Sequence, residues 1–436
     1  MIEQATSTDV LVVGAGPAGS AAAAWAAEAG MDVVLADKSS FPRDKPCGDG
    51  LTPRAIAELN RMGLGNWLAR HPTNRGLRAC GFGQELYLPW PGGSLPSTGS
   101  AVPRTELDAR IRTMALRRGA VGVEDARAVD VVRDGDRVSG VVFSRPVSGD
   151  GRTTSKAAKE TFTITCRRLV VADGARSHLG RLLGREWHQS TAFGVAARAY
   201  IKSGRSDDEW ITSHLELRDG ANQLLSGYGW VFPLGDGEVN LGVGTLATDR
   251  RPADVNLQQL IGVYTGLRRD DWDLEGEVRA VRSAVLPMGG AVSGVAGANW
   301  ALIGDAAGCV NPLNGEGIDY GLETGRLVAE LFAAGAGSAT STGRSRADVI
   351  QAWPATLREH YGPAFSVARR LATLLTVPNV LRYGGPVGMR SNLLMTVALR
   401  VMGNLVLPED SDLVARLWRG AGRLSLRVDE RVPFSS

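Results

Sequence analysis

Residues 10–20 read VLVVGAGPAGS, an apolar run that passes directly into a glycine-x-glycine-x-x-glycine turn. Few backbone geometries satisfy that pattern. The run predicts a short buried strand over Asp9 to Val13, and the alanine-rich stretch from Pro17 to Ala29 predicts a helix. Between them, Gly14 allows the tight turn, Gly16 lets the backbone approach a pyrophosphate, and Gly19 lets helix and strand pack closely. Pro17 and Ala18 open the helix, so its N-terminal N–H groups face the phosphates. A second strand over Asp32 to Ala36 runs into Asp37, 23 residues after Gly14, where a carboxylate can bond a ribose hydroxyl. These features predict an α/β chain with a Rossmann-type dinucleotide-binding domain, and leave NAD and FAD equally open.

The rest of the chain narrows the class. Its 436 residues, 44% apolar and 22% charged, are those of a soluble globular protein of two or three lobes. A net charge of +3 is too small to argue for nucleic acid. Cys47, Cys80, Cys166 and Cys309 lie far apart in sequence, which excludes zinc and CxxC redox spacing and predicts reduced thiols in the cytoplasm. The five histidines are scattered, so neither a metal site nor a catalytic triad is expected. The opening MIEQATSTDV lacks the basic and apolar regions of a signal peptide. No run reaches the roughly 18 apolar residues of a membrane span; the nearest, 392–407, contains Arg400.

Further elements follow from the same rules. Thr52 and Pro53 read as N-cap and first residue of a helix. Arg104 to Arg118 is a second helix, and valine-rich strands flank a turn at Asp134-Gly135. Gly149 to Glu160 is polar and reads as a surface loop. From Phe193 to Gly244 short strands succeed one another, predicting a mainly antiparallel second sheet. A strand over Trp300 to Ile303 leads to a long helix near Gly317 to Ala333, and the remainder is helical. The predicted division is a discontinuous dinucleotide-binding domain (1–75, 103–185, 285–345), a substrate domain (76–102, 186–284) and a helical C-terminal region (346–436).

Two later motifs select FAD. VVADGARS (170–177) runs a strand into Asp-Gly, and ALIGDAAGCVNPLNGEG (301–317) ends a strand at Gly304-Asp305 before a helix. A ribityl chain requires a carboxylate acceptor, which Asp305 supplies. The loop from Asn314 through Gly317 to Ile318 can aim N–H groups at the pyrimidine edge of a flavin, where a helix start stabilises negative charge. No second strand–GxGxxG–helix unit marks a separate NAD(P)H site.

With Arg104 in VPRTELD, these motifs resemble the FAD enzymes grouped around p-hydroxybenzoate hydroxylase. The resemblance implies that Arg104 contacts FAD and that backbone near Ala128 meets the adenine. Two more motifs resemble one branch of that group, the geranylgeranyl reductase family. Lys45-Pro46-Cys47-Gly48-Asp49-Gly50 matches its PxxCG-like loop. Tyr228-Gly229-Trp230-Val231-Phe232-Pro233, followed by Gly242-Val243-Gly244, matches its aromatic-x-Trp-x-Phe-Pro and Gly-x-Gly pair. The resemblance implies hydride transfer from reduced FAD to isolated C=C bonds of a polyprenyl chain: the isoprenoid tail of menaquinone, or otherwise a geranylgeranyl lipid. It places the loop of Cys47, Gly48 and Gly50 against the flavin ring. Cys47 then shapes the reaction pocket or passes a proton.

Such chemistry calls for a dry aromatic site. Tyr228, Trp230 and Phe232 alternate along one strand and so share a face, which can line a prenyl tunnel and stabilise a developing cation. The same pattern also suits an ordinary core. The electron donor, NAD(P)H or a small redox protein, leaves no motif. A flavin monooxygenase acting on an aromatic or polyketide is the competing reading; it shares the glycine and Gly-Asp motifs but not Trp-x-Phe-Pro. From 364 to 436 there are ten Arg and no Lys against five Asp plus Glu, interleaved with apolar clusters. That composition suits either peripheral contact with the inner face of the cell membrane or a packed helical subdomain.

Overall fold

The computed structural model describes residues 7–146, 159–337 and 351–435. Its first sheet is built on Ser7–Val13, which lies between Val33–Ala36 and the long strand Lys159–Val171, parallel to both. The second half of Lys159–Val171 also pairs in parallel with Trp300–Leu302, while its first half turns away in an antiparallel hairpin with Arg137–Pro146. Val10, Leu11 and Val12 are fully buried, as expected for a parallel strand covered on both faces. Helices Pro17–Glu28 and Ile318–Gly337 cross so closely that a Cβ at Gly325 would lie 2.6 Å from the Ala18 carbonyl oxygen. Small residues in both helices thereby set the glycine turn beside the 304–318 segment.

The second sheet runs in the order Leu274–Leu286, Phe193–Ser203, Glu238–Ala247, Gly227–Pro233, Trp210–His214, Gly76–Gly81 and Gln84–Pro89. Every pairing is antiparallel except Trp210–His214 with Gly76–Gly81. Helix Leu257–Arg268 packs through Leu260, Ile261 and Tyr264 on one apolar cluster of this sheet. Helices Trp353–Leu375, Pro378–Met389, Asn392–Met402 and Leu413–Arg427 form the C-terminal region. The Trp353 indole anchors that region by donating to the Leu302 carbonyl at 2.8 Å. Among the described residues no helix is long and apolar enough to cross a membrane.

Two local expectations are corrected. Thr52 does precede helix Pro53–Arg61, but its hydroxyl donates to the Glu316 carboxylate instead of capping the helix. Lys159 and Glu160, expected in a loop, begin the strand that pairs with Pro146 and Arg145. The remainder of that expected loop, 149–158, lies outside the described residues.

Candidate active site

The glycine turn is forced by its surroundings. Gly14 has φ +105°, and a Cβ there would lie 2.2 Å from the Ala172 carbonyl oxygen. A Cβ at Gly19 would overlap the Gly14 carbonyl at 1.8 Å, so Gly19 serves helix–strand packing. Gly16 faces open space apart from the Arg43 guanidinium. The Asp37 carboxylate accepts the Ala15 N–H at 2.7 Å and the Ser39 N–H at 2.9 Å, and retains lone pairs for a further donor.

From this turn a single cavity of about 1340 Å³ runs the length of the site. It is larger than an ordinary small-molecule pocket of roughly 300–1,000 Å³. Gly14, Gly16, Pro17, Ala18, Asp37 and Ala128 line it, as do Arg104, Cys47, Gly48, Gly50, Asp305, Gly317 and Ile318. Tyr228, Trp230 and Phe232 line it too, with Leu381, Gly384, Met395 and Met402 of the C-terminal helices, and Phe232 and Met395 pack against the same apolar cluster. All the sequence-predicted site residues except Gly19 therefore meet in one space.

The two family-type motifs, separated by some 180 residues, interlock. The Trp230 indole lies over Gly242, its cross-strand partner, where a Cβ would be 2.2 Å from the ring. Trp230 also meets Gly48: a Cβ there would sit 3.2 Å from the indole nitrogen and 3.1 Å from Phe232. A Cβ at Gly50 would sit 2.9 Å from Phe232. The glycines of both motifs are thus spaces filled by aromatic rings. Tyr228 and Trp230 stand 6.0 Å apart, and Trp230 and Phe232 6.3 Å. The Tyr228 hydroxyl donates to the Asn314 carbonyl at 2.5 Å, fastening the aromatic strand to the loop that precedes helix Ile318–Gly337.

Polar groups that the sequence did not single out surround this contact. Asp49 is fully buried with φ +64°. Its carboxylate accepts the Tyr200 hydroxyl at 2.6 Å and the Asn240 amide N–H at 2.8 Å. Burial raises Asp49 to about 6, against the bonds from Tyr200 and Asn240 that lower it. Lys45 also lines the cavity; burial lowers its pKa, opposed by Asp305. Burial raises the carboxyl of Asp305, opposed by Lys45 and Arg104. Arg104 forms a buried two-bond ion pair with Asp108, at 2.6 and 2.8 Å. The Cys47 thiol is pushed up by burial, with Arg104 pulling the other way, so the thiol form prevails. Tyr200 and Asn240 lie on interior strands with no spacing signal in the sequence; only the Asp in the Cys-Gly-Asp-Gly run could have hinted at Asp49.

The cavity fits a flavin dinucleotide: an open approach at Gly16, carboxylates at Asp37 and Asp305, and a helix starting at Ile318 whose first-turn N–H groups lack intrahelical acceptors. Among the described residues no cluster could hold a metal ion. Fold and cradle together define an FAD-binding flavoprotein, and a family profile described as "FAD binding domain" matches residues 7–227. Menaquinone reductase of Mycolicibacterium smegmatis is 59% identical over 99% of this chain and 100% of its own length. Digeranylgeranylglycerophospholipid reductase 1 of Methanopyrus kandleri is 29% identical over 84% of this chain and 90% of its own. The chain belongs to the geranylgeranyl reductase family of FAD-dependent oxidoreductases. A geranylgeranyl bacteriochlorophyll reductase-like protein from Thermoplasma acidophilum shares the fold, with TM-score 0.68 and 19% identity, covering 94% of this chain and 95% of that one.

Proposed function

We propose that the protein saturates an isolated C=C bond in a polyprenyl chain, and that the chain is the isoprenoid tail of menaquinone. The observation that carries this is the aromatic strand packed on the Cys47-Gly48-Asp49-Gly50 loop, lining one cavity with both the dinucleotide motifs and apolar residues of the C-terminal helices. Residues of the glycine turn, Asp37, Arg104 and Asp305 would hold the cofactor. Bound FAD, once reduced, supplies the electron pair that an unpolarised double bond needs. Tyr228, Trp230 and Phe232 exclude water and present π faces that stabilise positive charge on the reacting carbon. Cys47 shapes the pocket beside Trp230; its raised pKa does not suit it to protonate an alkene. Reducing equivalents come from NAD(P)H or a small redox protein.

The reading is tested by anaerobic incubation of reduced enzyme with menaquinone, followed by mass spectrometry. A gain of two hydrogens per turnover is expected. Activity that requires dioxygen and yields a hydroxylated product would overturn it.

Peripheral membrane contact is part of the same proposal. Helix Pro378–Met389 turns Leu381 and Gly384 to the cavity, yet Tyr383 and Val387 on its outer side are 67% and 64% exposed. Leu393 on the next helix is 78% exposed, and Leu413, Leu417 and Leu424 on the last helix are exposed as well. Arg382, Arg390, Arg423 and Arg427 have no carboxylate partner among the described residues, whereas Arg369 and Arg400 are paired. An apolar outer face with free arginines suits an anionic bilayer surface. Leu393→Glu combined with Leu394→Glu is expected to lower partitioning onto phosphatidylglycerol vesicles about tenfold or more. Unchanged co-sedimentation would remove the membrane from the proposal.

A further inference from the structure

The buried polar cluster behind the aromatic strand has a directional logic. The Trp230 indole N–H donates to the Asn240 side-chain oxygen at 3.0 Å. The Asn240 amide nitrogen donates to the Cys47 carbonyl at 2.9 Å and to Asp49 at 2.8 Å. The opposite amide orientation would set an N–H against the indole N–H and an oxygen against two acceptors. Asp49 in turn receives the Arg104 backbone N–H at 3.3 Å, and its own N–H points to the Cys47 sulfur at 3.4 Å. Asp49 thus bonds to Cys47 through its backbone N–H and, through its carboxylate, to the start of helix Arg104–Arg117, to Tyr200 and, by way of Asn240, to the aromatic strand.

We infer that ionised Asp49 is the positioning residue of this site, holding the Asn240 amide in the orientation that fixes both the Trp230 indole and the Cys47 loop. Three donors converge on its two oxygens. Protonation brings a fourth proton into a space with donors on every side, and the hold on Asn240 weakens. The charged and titratable groups facing Asp49 are Arg104 on its helix, Arg198 and Tyr200 on strand Phe193–Ser203, and Cys47 on its own loop. Both arginines and the Tyr200 hydroxyl favour the carboxylate, and burial opposes them. The ionised form is therefore the working form above about pH 6, and Asp49 should contribute an acid limb to the rate there. The inference rests on the reductase reading and deepens it by adding a residue that acts through others.

The test uses FAD-loaded full-length enzyme and follows kcat against pH with a menaquinone substrate. In wild type kcat should fall below about pH 6. Tyr200→Phe deletes one donor to the carboxylate, so the acid limb should move up by about one to two pH units, the worth of a hydrogen bond to a charged group. Asp49→Asn should remove the limb and lower kcat about tenfold or more, with a smaller change in KM. A second readout needs no turnover. The Asp49 charge raises the Cys47 pKa, so Cys47 in Asp49→Asn should be alkylated faster at pH 8, as read by peptide mass spectrometry. An acid limb in Tyr200→Phe identical to wild type would overturn the inference, even if Asp49→Asn does not fold. Cys47 alkylation unchanged in a folded Asp49→Asn would also overturn it. Failure of wild type to reduce any prenyl chain strikes the functional reading instead.

Discussion

Gly14→Ala is expected to yield colourless protein. At φ +105° a Cβ costs about 1–2 kcal/mol in backbone strain alone. Here it would also lie 2.2 Å from the Ala172 carbonyl, with the Asp173 amide nitrogen 3.0 Å away. Both groups lie just past strand Lys159–Val171, where the Ala172 N–H donates to the Val13 carbonyl at 2.8 Å, so neither can give way cheaply. The turn must open, and the N-terminus of helix Pro17–Glu28 then loses its aim at the phosphates. FAD content per chain, measured from the visible absorbance of purified protein, should fall more than tenfold, and turnover with it. Full flavin occupancy in Gly14→Ala would mean that this turn does not hold the cofactor.

Trp230→Ala carries the second large effect, of a different kind. Trp230 is 6% exposed and fills the space between Gly242 and Gly48. Deleting such a ring costs about 3–5 kcal/mol of stability and leaves the Asn240 oxygen without the indole bond. The glycine turn lies elsewhere along the cavity, so the variant should keep its flavin and lose turnover about a hundredfold or more. Trp230→Phe, which keeps a π face but not the N–H, should fall between the two. Equal turnover in Trp230→Ala and wild type would return the aromatic strand to the status of ordinary core.

The contrast between these variants shows how much was legible before folding. A dinucleotide turn is local: strand, glycines, helix and acid lie within thirty residues, and steric rules bind each to the next. Gly14, Gly16 and Asp37 could be read directly for that reason. Asp305 and the loop at Asn314 followed because a strand and a helix start again flank them. The aromatic strand was legible as a face, since period-two alternation is also local, but the sequence could not say which surface met it. Thr52 shows the limit: its position at a helix start is a cap signal, yet a carboxylate 264 residues away took its hydroxyl.

What the sequence determined by itself was therefore the strand–glycine-turn–helix unit and the alternation of the aromatic strand, because both depend on short-range backbone geometry. Only the tertiary structure decided that Gly48 and Gly242 both abut one indole, that Asp49, Tyr200 and Asn240 form a buried knot beside it, and that the C-terminal helices line the same cavity. Those are contacts between segments up to about three hundred residues apart. Such contacts leave no periodicity in either segment, because they are fixed by packing and by the need of each buried polar group for a partner.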